Sequence, residues 1–190
     1  MGRESDKDMF FRNPVEEPNL PGKLSVLYLL RRDIEHCITT QQMIWPATMA
    51  ILAGIDLLGK FHAGEDNTGK GAGKGGKRFK NFVTQYFVDS LSLDDAEIIY
   101  QLRNALLHSF GLYSNANNKE YRFTLVFTEE SPWIQRLPGN VYLISITVLH
   151  KKFEIAIERY HIALKADNDL QDKFTKMFPN YGAVDLFNPL

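Results

Sequence analysis

The sequence predicts a mainly α fold, a helical bundle with a small β-hairpin inserted before the last long helix. Three observations carry that expectation. Apolar residues recur at helical spacing through most of the chain between positions 23 and 178. The run from Met43 to Ile55 is apolar on nearly every face, as suits a helix at the centre of a bundle. Two stretches, YRFTLVFT (121–128) and VYLISIT (141–147), have the β-branched and aromatic density of strands. With 190 residues and 44% hydrophobic side chains, one domain with a real core is the default. The expected organisation is an extended N-terminal segment (1–22), a single helical domain (23–178, with the hairpin at about 121–147) and a C-terminal tail (179–190).

Taken in order, a first helix is expected from Lys23 to about Thr40. Leu27, Leu30, Ile34, Cys37 and Ile38 form its apolar stripe, and Arg31, Arg32, Asp33 and Glu35 take the other faces. Trp45-Pro46 suits a second helix start, because proline tolerates the first turn, and that helix runs to about Phe61. AGEDNTGKGAGKGGKR (63–78) reads as a mobile loop. A third helix, roughly Arg78 to Asp89, carries Phe79, Phe82, Val83, Tyr86 and Phe87 on one side. Ser92 is placed to cap the fourth, with Asp95 three positions on as in a capping box and Asp94 at the positive helix end. That helix should stop near Gly111. The two strand-like stretches read as an antiparallel hairpin with a long connection, EESPWIQRLPGN. A long helix from about Val148 to Ala166 and a short one around Leu170 to Phe178 complete the domain.

A net charge of −1 does not by itself predict nucleic-acid binding, which must rest on local patches. The single cysteine, Cys37, cannot form an internal disulfide, and no Cys/His zinc spacing is present. A reducing, cytoplasmic setting follows as the simplest expectation. The N-terminal stretch has no apolar signal core, and Gly2 lacks the Ser or Thr a myristoylation pattern needs, with Asp6 in that place. Met43 to Ile55 is too short to span a bilayer and contains Pro46, so no membrane partner is expected.

GAGKGGKR (71–78) comes close to a phosphate-binding P-loop. The true motif needs a strand feeding the loop and a Ser or Thr after the lysine for Mg²⁺. Here a helix precedes the loop and Arg78 holds the Ser/Thr position. Two readings stay open: a solvated connector, or a patch in which Lys70, Lys74, Lys77 and Arg78 attract the phosphates of a substrate.

On a wheel of about 100° per residue, Ile98, Ile99, Leu102, Ala105 and Leu106 form a core stripe with Arg103 at its edge. The opposite arc holds Tyr100, Asn104, Leu107 and His108. A plain solvent face would carry Glu, Lys and Gln, so this arc suggests burial against another element or a second copy of the chain. Asn104 and His108 are i, i+4 neighbours. Arg103 and His108 lie about 140° apart, which places them on either side of a shallow groove. His108 sits in the last turn, where the helix dipole favours imidazolium. Structural roles stay open as well: Arg103 paired with Asp33, Glu35 or Asp56, Asn104 bonding backbone, and His108 capping the helix.

RNALLH (103–108) resembles the R-x4-6-H motif of the HEPN family, with asparagine directly after the arginine and the motif late in a bundle helix. The resemblance spans roughly residues 24–166 and points to the small single-domain bacterial members. The hairpin and the glycine-lysine loop lie outside the family's core. The resemblance implies a HEPN-like bundle and a metal-independent endoribonuclease with no cofactor, of the kind found in toxin–antitoxin pairs, phage defence and RNA processing. Other members keep the fold without cleavage and act as binding or assembly modules. It implies a homodimer, here through the Tyr100/Asn104/Leu107/His108 face, with RNA as substrate and an antitoxin protein as a further partner. His108 would be the general acid or base, Arg103 would hold the scissile phosphate, and Asn104 would orient His108 or bond phosphate. Tyr113, just past the helix, would stack on a base or bond phosphate, or simply pack. His36, His62, His150 and His161 are scattered and read as structural or exposed.

Overall fold

The computed structural model describes residues 5–15, 23–40, 42–66, 74–87, 93–116, 118–129 and 132–185. Among these the chain is mainly helical. The helices of the bundle are α2 (Val26–Thr39), α3 (Ile44–Ala63), α4 (Lys74–Tyr86), α5 (Leu93–Ser109), α6 (Ile146–Ala166) and α7 (Asn168–Tyr181). α3 sits at the centre, touching all five of the others. That position explains its all-round apolar sequence: Ile51, Leu52, Ile55, Leu58 and Phe61 are fully buried. By length and composition α3 could cross a membrane, but half of that stretch is buried inside the bundle. Truncating one of these side chains, as in Leu58→Ala, is expected to cost about 2–5 kcal/mol.

The N-terminal segment departs from its expected extended form. Residues Asp6–Phe11 make a short helix, α1, whose N-cap Ser5 accepts the Asp8 N–H through its side chain. DKDMFF is too short to display a helical period, so the sequence hides it. Its function is to deliver two rings: Phe10 packs on Phe61 and Phe174 with centroids at 4.6 and 5.3 Å. Arg31, placed on an outer face from sequence, is buried and holds this segment down. It grips Glu154 of α6 and donates to the backbone carbonyls of Phe11 and Arg12. The C-terminal tail departs too, since α7 continues to Tyr181 and Ala183–Asp185 (β6) pairs antiparallel with Lys23–Ser25 (β1).

The expected hairpin is a four-stranded sheet in the order β2-β3-β5-β4. Its strands are β2 (Tyr113–Ala116), β3 (Lys119–Val126), β4 (Ile134–Leu137) and β5 (Val141–Ser145). The two strands read from sequence do pair with each other, but in parallel. The reason lies in the connection, which contains β4. β4 turns through Pro138–Asn140, with Gly139 and Asn140 at positive φ, and pairs antiparallel with β5. β3 therefore meets β5 running the same way. Ser145 then ends the sheet and starts α6, its hydroxyl accepting from Val148 N–H and donating to the Thr128 carbonyl.

The glycine-lysine stretch is only partly loop. Residues 67–73, Lys70 included, lie outside the described residues, as does Ser92, but α4 already begins at Lys74. Gly76 is a packing residue: a Cβ there would meet the Tyr100 ring at 2.7 Å. This glycine lets α4 approach α5.

Candidate active site

The elements converge on the C-terminal half of α5. Its core stripe is as the wheel places it, with Ile98, Ile99, Leu102, Ala105 and Leu106 buried against the bundle. Tyr100, on the arc expected to be buried against another element or a second copy, is covered by α4 of the same chain, with Gly76 under its ring and Phe79 beside it at 5.7 Å. What remains open on that arc is Asn104 and Leu107, both half-buried, and His108, which is exposed.

Arg103 organises the site. Its Nη2 donates to Asp56 Oδ2 of α3 at 2.6 Å, one of the three acidic partners the sequence offered. Its Nη1 lies 2.5 Å from His108 Nε2 and 3.3 Å from Asn104 Oδ1. The expected groove between Arg103 and His108 is therefore bridged. The wheel separates the two Cα positions by about 140°, but an arginine side chain is long enough to fold around the helix and close the gap. Because a guanidinium only donates, Nε2 must present its lone pair in this contact, with the ring proton on Nδ1. Arg103 Nε is buried with no acceptor among the described residues, so one donor of the fork is unspent.

Comparison of the chain with protein-family models, with curated proteins and with solved structures finds no match. The site must be read from its own geometry.

The residues beyond α5 divide. Tyr113 is exposed at the start of β2, and its hydroxyl donates to Glu120 at 3.3 Å. Arg78, expected among the phosphate-attracting cations, is buried and donates to the Glu65 carbonyl at 3.0 Å, tying α4 to the end of α3. It serves the fold. Lys77 is exposed and lines a cavity of about 330 Å³ with Ala63, Glu65, Arg78 and Asn81. The side chain of Lys74 lies outside the described residues. Asp95, read as part of a capping box, bonds Arg136 of β4 at 2.6 Å. Among the described residues no three His, Cys, Asp or Glu side chains gather as they would around a metal ion.

Sequence reasoning missed two members of the neighbourhood. Trp45, in the first turn of α3, stacks on Phe110 with centroids 5.9 Å apart and planes at 22°. Phe110 carries the left-handed turn that ends α5, at φ 49°, where Gly111 was the natural candidate. The α5 end is closed by Gly111 N–H returning to the Ala105 carbonyl at 3.0 Å. An aromatic residue in this conformation costs about 1–2 kcal/mol. The sequence signal was an aromatic immediately before the capping glycine, which reads as ordinary until the backbone is known.

Three of the remaining histidines sit in the scaffold, while His36 is exposed. His62 sits among Phe82, Tyr86 and Tyr160, and burial first, then Lys173, holds it below its ordinary value. His161 stacks on Phe11 at 4.4 Å and is likewise held down by burial and then Lys165. His150 lies 3.7 Å from Glu154, beside the Arg31 clasp.

Proposed function

We propose that the chain is a metal-independent endoribonuclease of HEPN type, acting on RNA in the cytoplasm, in a toxin–antitoxin or phage-defence setting. The observation that carries the reading is the contact of Arg103 Nη1 with an exposed, lone-pair-bearing His108 Nε2. RNA brings its own nucleophile, so the reaction asks the protein for a base, an acid and charge stabilisation. His108 Nε2 takes the proton of the 2′-hydroxyl as its oxygen attacks phosphorus. Arg103 turns its Nη1 from His108 to the phosphate oxygens while Asp56 keeps hold of Nη2. The P–O5′ bond breaks, and the leaving oxygen receives a proton from a second imidazole. One histidine cannot easily be base and acid in a single turnover, which favours a homodimer sharing the groove through Asn104, Leu107 and His108. The products are a 2′,3′-cyclic phosphate and a 5′-hydroxyl.

The test is incubation of purified protein with RNA in excess EDTA, with analysis of the product ends. Cleavage is expected from the wild type and not from His108→Ala or Arg103→Ala. Equal cleavage by His108→Ala removes the reading.

One observation favours a second reading, a non-catalytic HEPN-fold module that binds RNA, nucleotide or a protein partner. Asp56 already neutralises Arg103, so an incoming phosphate competes with a carboxylate. Under that reading Arg103→Ala weakens binding and no RNA is ever hydrolysed.

A further inference from the structure

We infer that the Phe110–Trp45 pair is a base-binding platform that stacks one unpaired nucleobase of single-stranded RNA beside the phosphate-contacting Arg103 and His108. The inference rests on the ribonuclease reading above and names the form of its substrate.

Four features of the pair point this way. Phe110 is 72% exposed, the most exposed large hydrophobic side chain among the described residues. Its ring lies near-parallel to Trp45 with centroids 5.9 Å apart, and most of the side chain stays open to solvent. The backbone holds Phe110 at φ 49°, although a glycine at this position would make the same turn without strain and Gly111 stands next to it. The ring is thus what the turn presents. Finally, Phe110 follows His108 by two residues, so their Cα atoms lie within about 7 Å. Trp45 and Asp56, which anchor the ring and the guanidinium, lie about 16 Å apart along α3, so a base on the ring and a phosphate at Arg103 and His108 belong to neighbouring nucleotides of one strand.

On the Phe110 ring itself a second copy of the chain fits less well than RNA, the dimer proposed above being formed through Asn104, Leu107 and His108. A stable interface buries about 800 Å² on each partner. The large hydrophobic side chains exposed at this end, among the described residues, are Met43, Phe110 and Tyr113. On the same end stand Arg103 and His108, whose polar groups complement a phosphodiester. Every base offers a π-face, so such a platform is tolerant of sequence and selective for unpaired strands.

The experiment measures affinity of the full chain for short RNA oligonucleotides whose riboses are 2′-O-methylated, so that binding is read without cleavage. Stacking of one base on an aromatic ring predicts that Phe110→Gly weakens binding by about 5- to 150-fold. Phe110→Trp should restore affinity. An oligonucleotide with an abasic position should bind the wild type more weakly than its intact parent and bind Phe110→Gly no more weakly than the parent does. Equal affinity of wild type and Phe110→Gly overturns the platform while leaving the ribonuclease reading intact. Absence of RNA binding by the wild type removes both. If Phe110→Gly turns a dimer into a monomer in sedimentation and the abasic position has no effect, the ring is a subunit contact and the inference fails.

Discussion

Asp56→Asn tests how the site is held together. The substitution keeps the shape of the side chain and removes the charge that pairs with Arg103 at 2.6 Å. The two side chains are 18% and 20% exposed, so the pair is neither buried nor a surface pair. Breaking a fully buried pair costs about 3–5 kcal/mol, and an exposed pair contributes about 0–1 kcal/mol. Arg103 also keeps its contacts to His108 and Asn104 after the change. A loss of about 1–2 kcal/mol is therefore expected. In urea unfolding followed by circular dichroism, a slope of about 2 kcal/mol/M converts this to a midpoint lower by about 0.5–1 M. Arg103→Met should cost a similar amount, and the double variant should be no worse than the poorer single one, because each change removes the same interaction. Cleavage by Asp56→Asn should fall by about tenfold, the effect of about 1.4 kcal/mol of lost positioning. Unchanged midpoints, or single losses that simply add in the double variant, would show that the Asp56–Arg103 contact is not formed in solution, and the positioning argument would go with it.

Two further outcomes follow from groups outside the site. His62 and His161 are held below their ordinary 6.5, chiefly by burial, so the unfolded chain takes up protons first and stability should fall as pH drops below about 6.5. A second decline is expected below about 4.5. At Glu154 and Glu97 burial pushes upward, but hydrogen bonds from His150 and Arg31, and from Lys80 and Gln101, outweigh it and hold both carboxyls below their ordinary value. Their contribution is thus lost as pH falls through those depressed values. Thermal midpoints followed from neutral pH down well below the ordinary carboxyl range check both stages; His62→Gln should flatten the first, and a profile flat down to about pH 5.5 would contradict it. Gly76→Val should cost about 1–3 kcal/mol by driving a side chain into the Tyr100 ring, or about 2–4 °C of midpoint for each kcal/mol. Lys77→Ala next to it should change little, and equal tolerance at the two positions would mean that this stretch does not pack as a helix.

The bundle was legible because its signal is local. α2, α3, α5 and α6 each show an apolar pattern long enough to give the period, and their observed ends lie within a few residues of those read from sequence. What failed to show was set by distant partners. DKDMFF is only six residues of α1, and its helical state depends on burying Phe10 and Phe11 against α3, α6 and α7. Strand propensity located β3 and β5 but says nothing of direction, which β4 decided from within a connection that looked like loop. Arg31 has the same sequence signature as Arg32, yet one is clasped by Glu154 and the other is exposed beside Asp33. Nothing within α2 distinguishes them.

The site shows the same division within a few residues. The positions of Arg103, Asn104 and His108 on one helix were fixed by spacing, and so was the core stripe behind them. Their mutual contact was not, because a helical wheel plots Cβ directions and ignores the reach of the side chain. At i, i+5 two short side chains would indeed be separate. An arginine bridges that spacing only if something holds its far end, and Asp56, on another helix, does so by bonding Nη2 and leaving Nη1 to face His108. The same dependence explains Phe110 and Trp45. They lie 65 positions apart in the chain, and only the antiparallel run of α5 along α3, with Arg103 beside Asp56 and Phe110 beside Trp45, brings the two rings together. The pairing of α5 with α3 that stacks the rings is therefore the pairing that holds the guanidinium. Weakening it at Asp56 should disturb the Phe110–Trp45 stack as well as the polar site, and the fluorescence of Trp45 in Asp56→Asn should report that coupling.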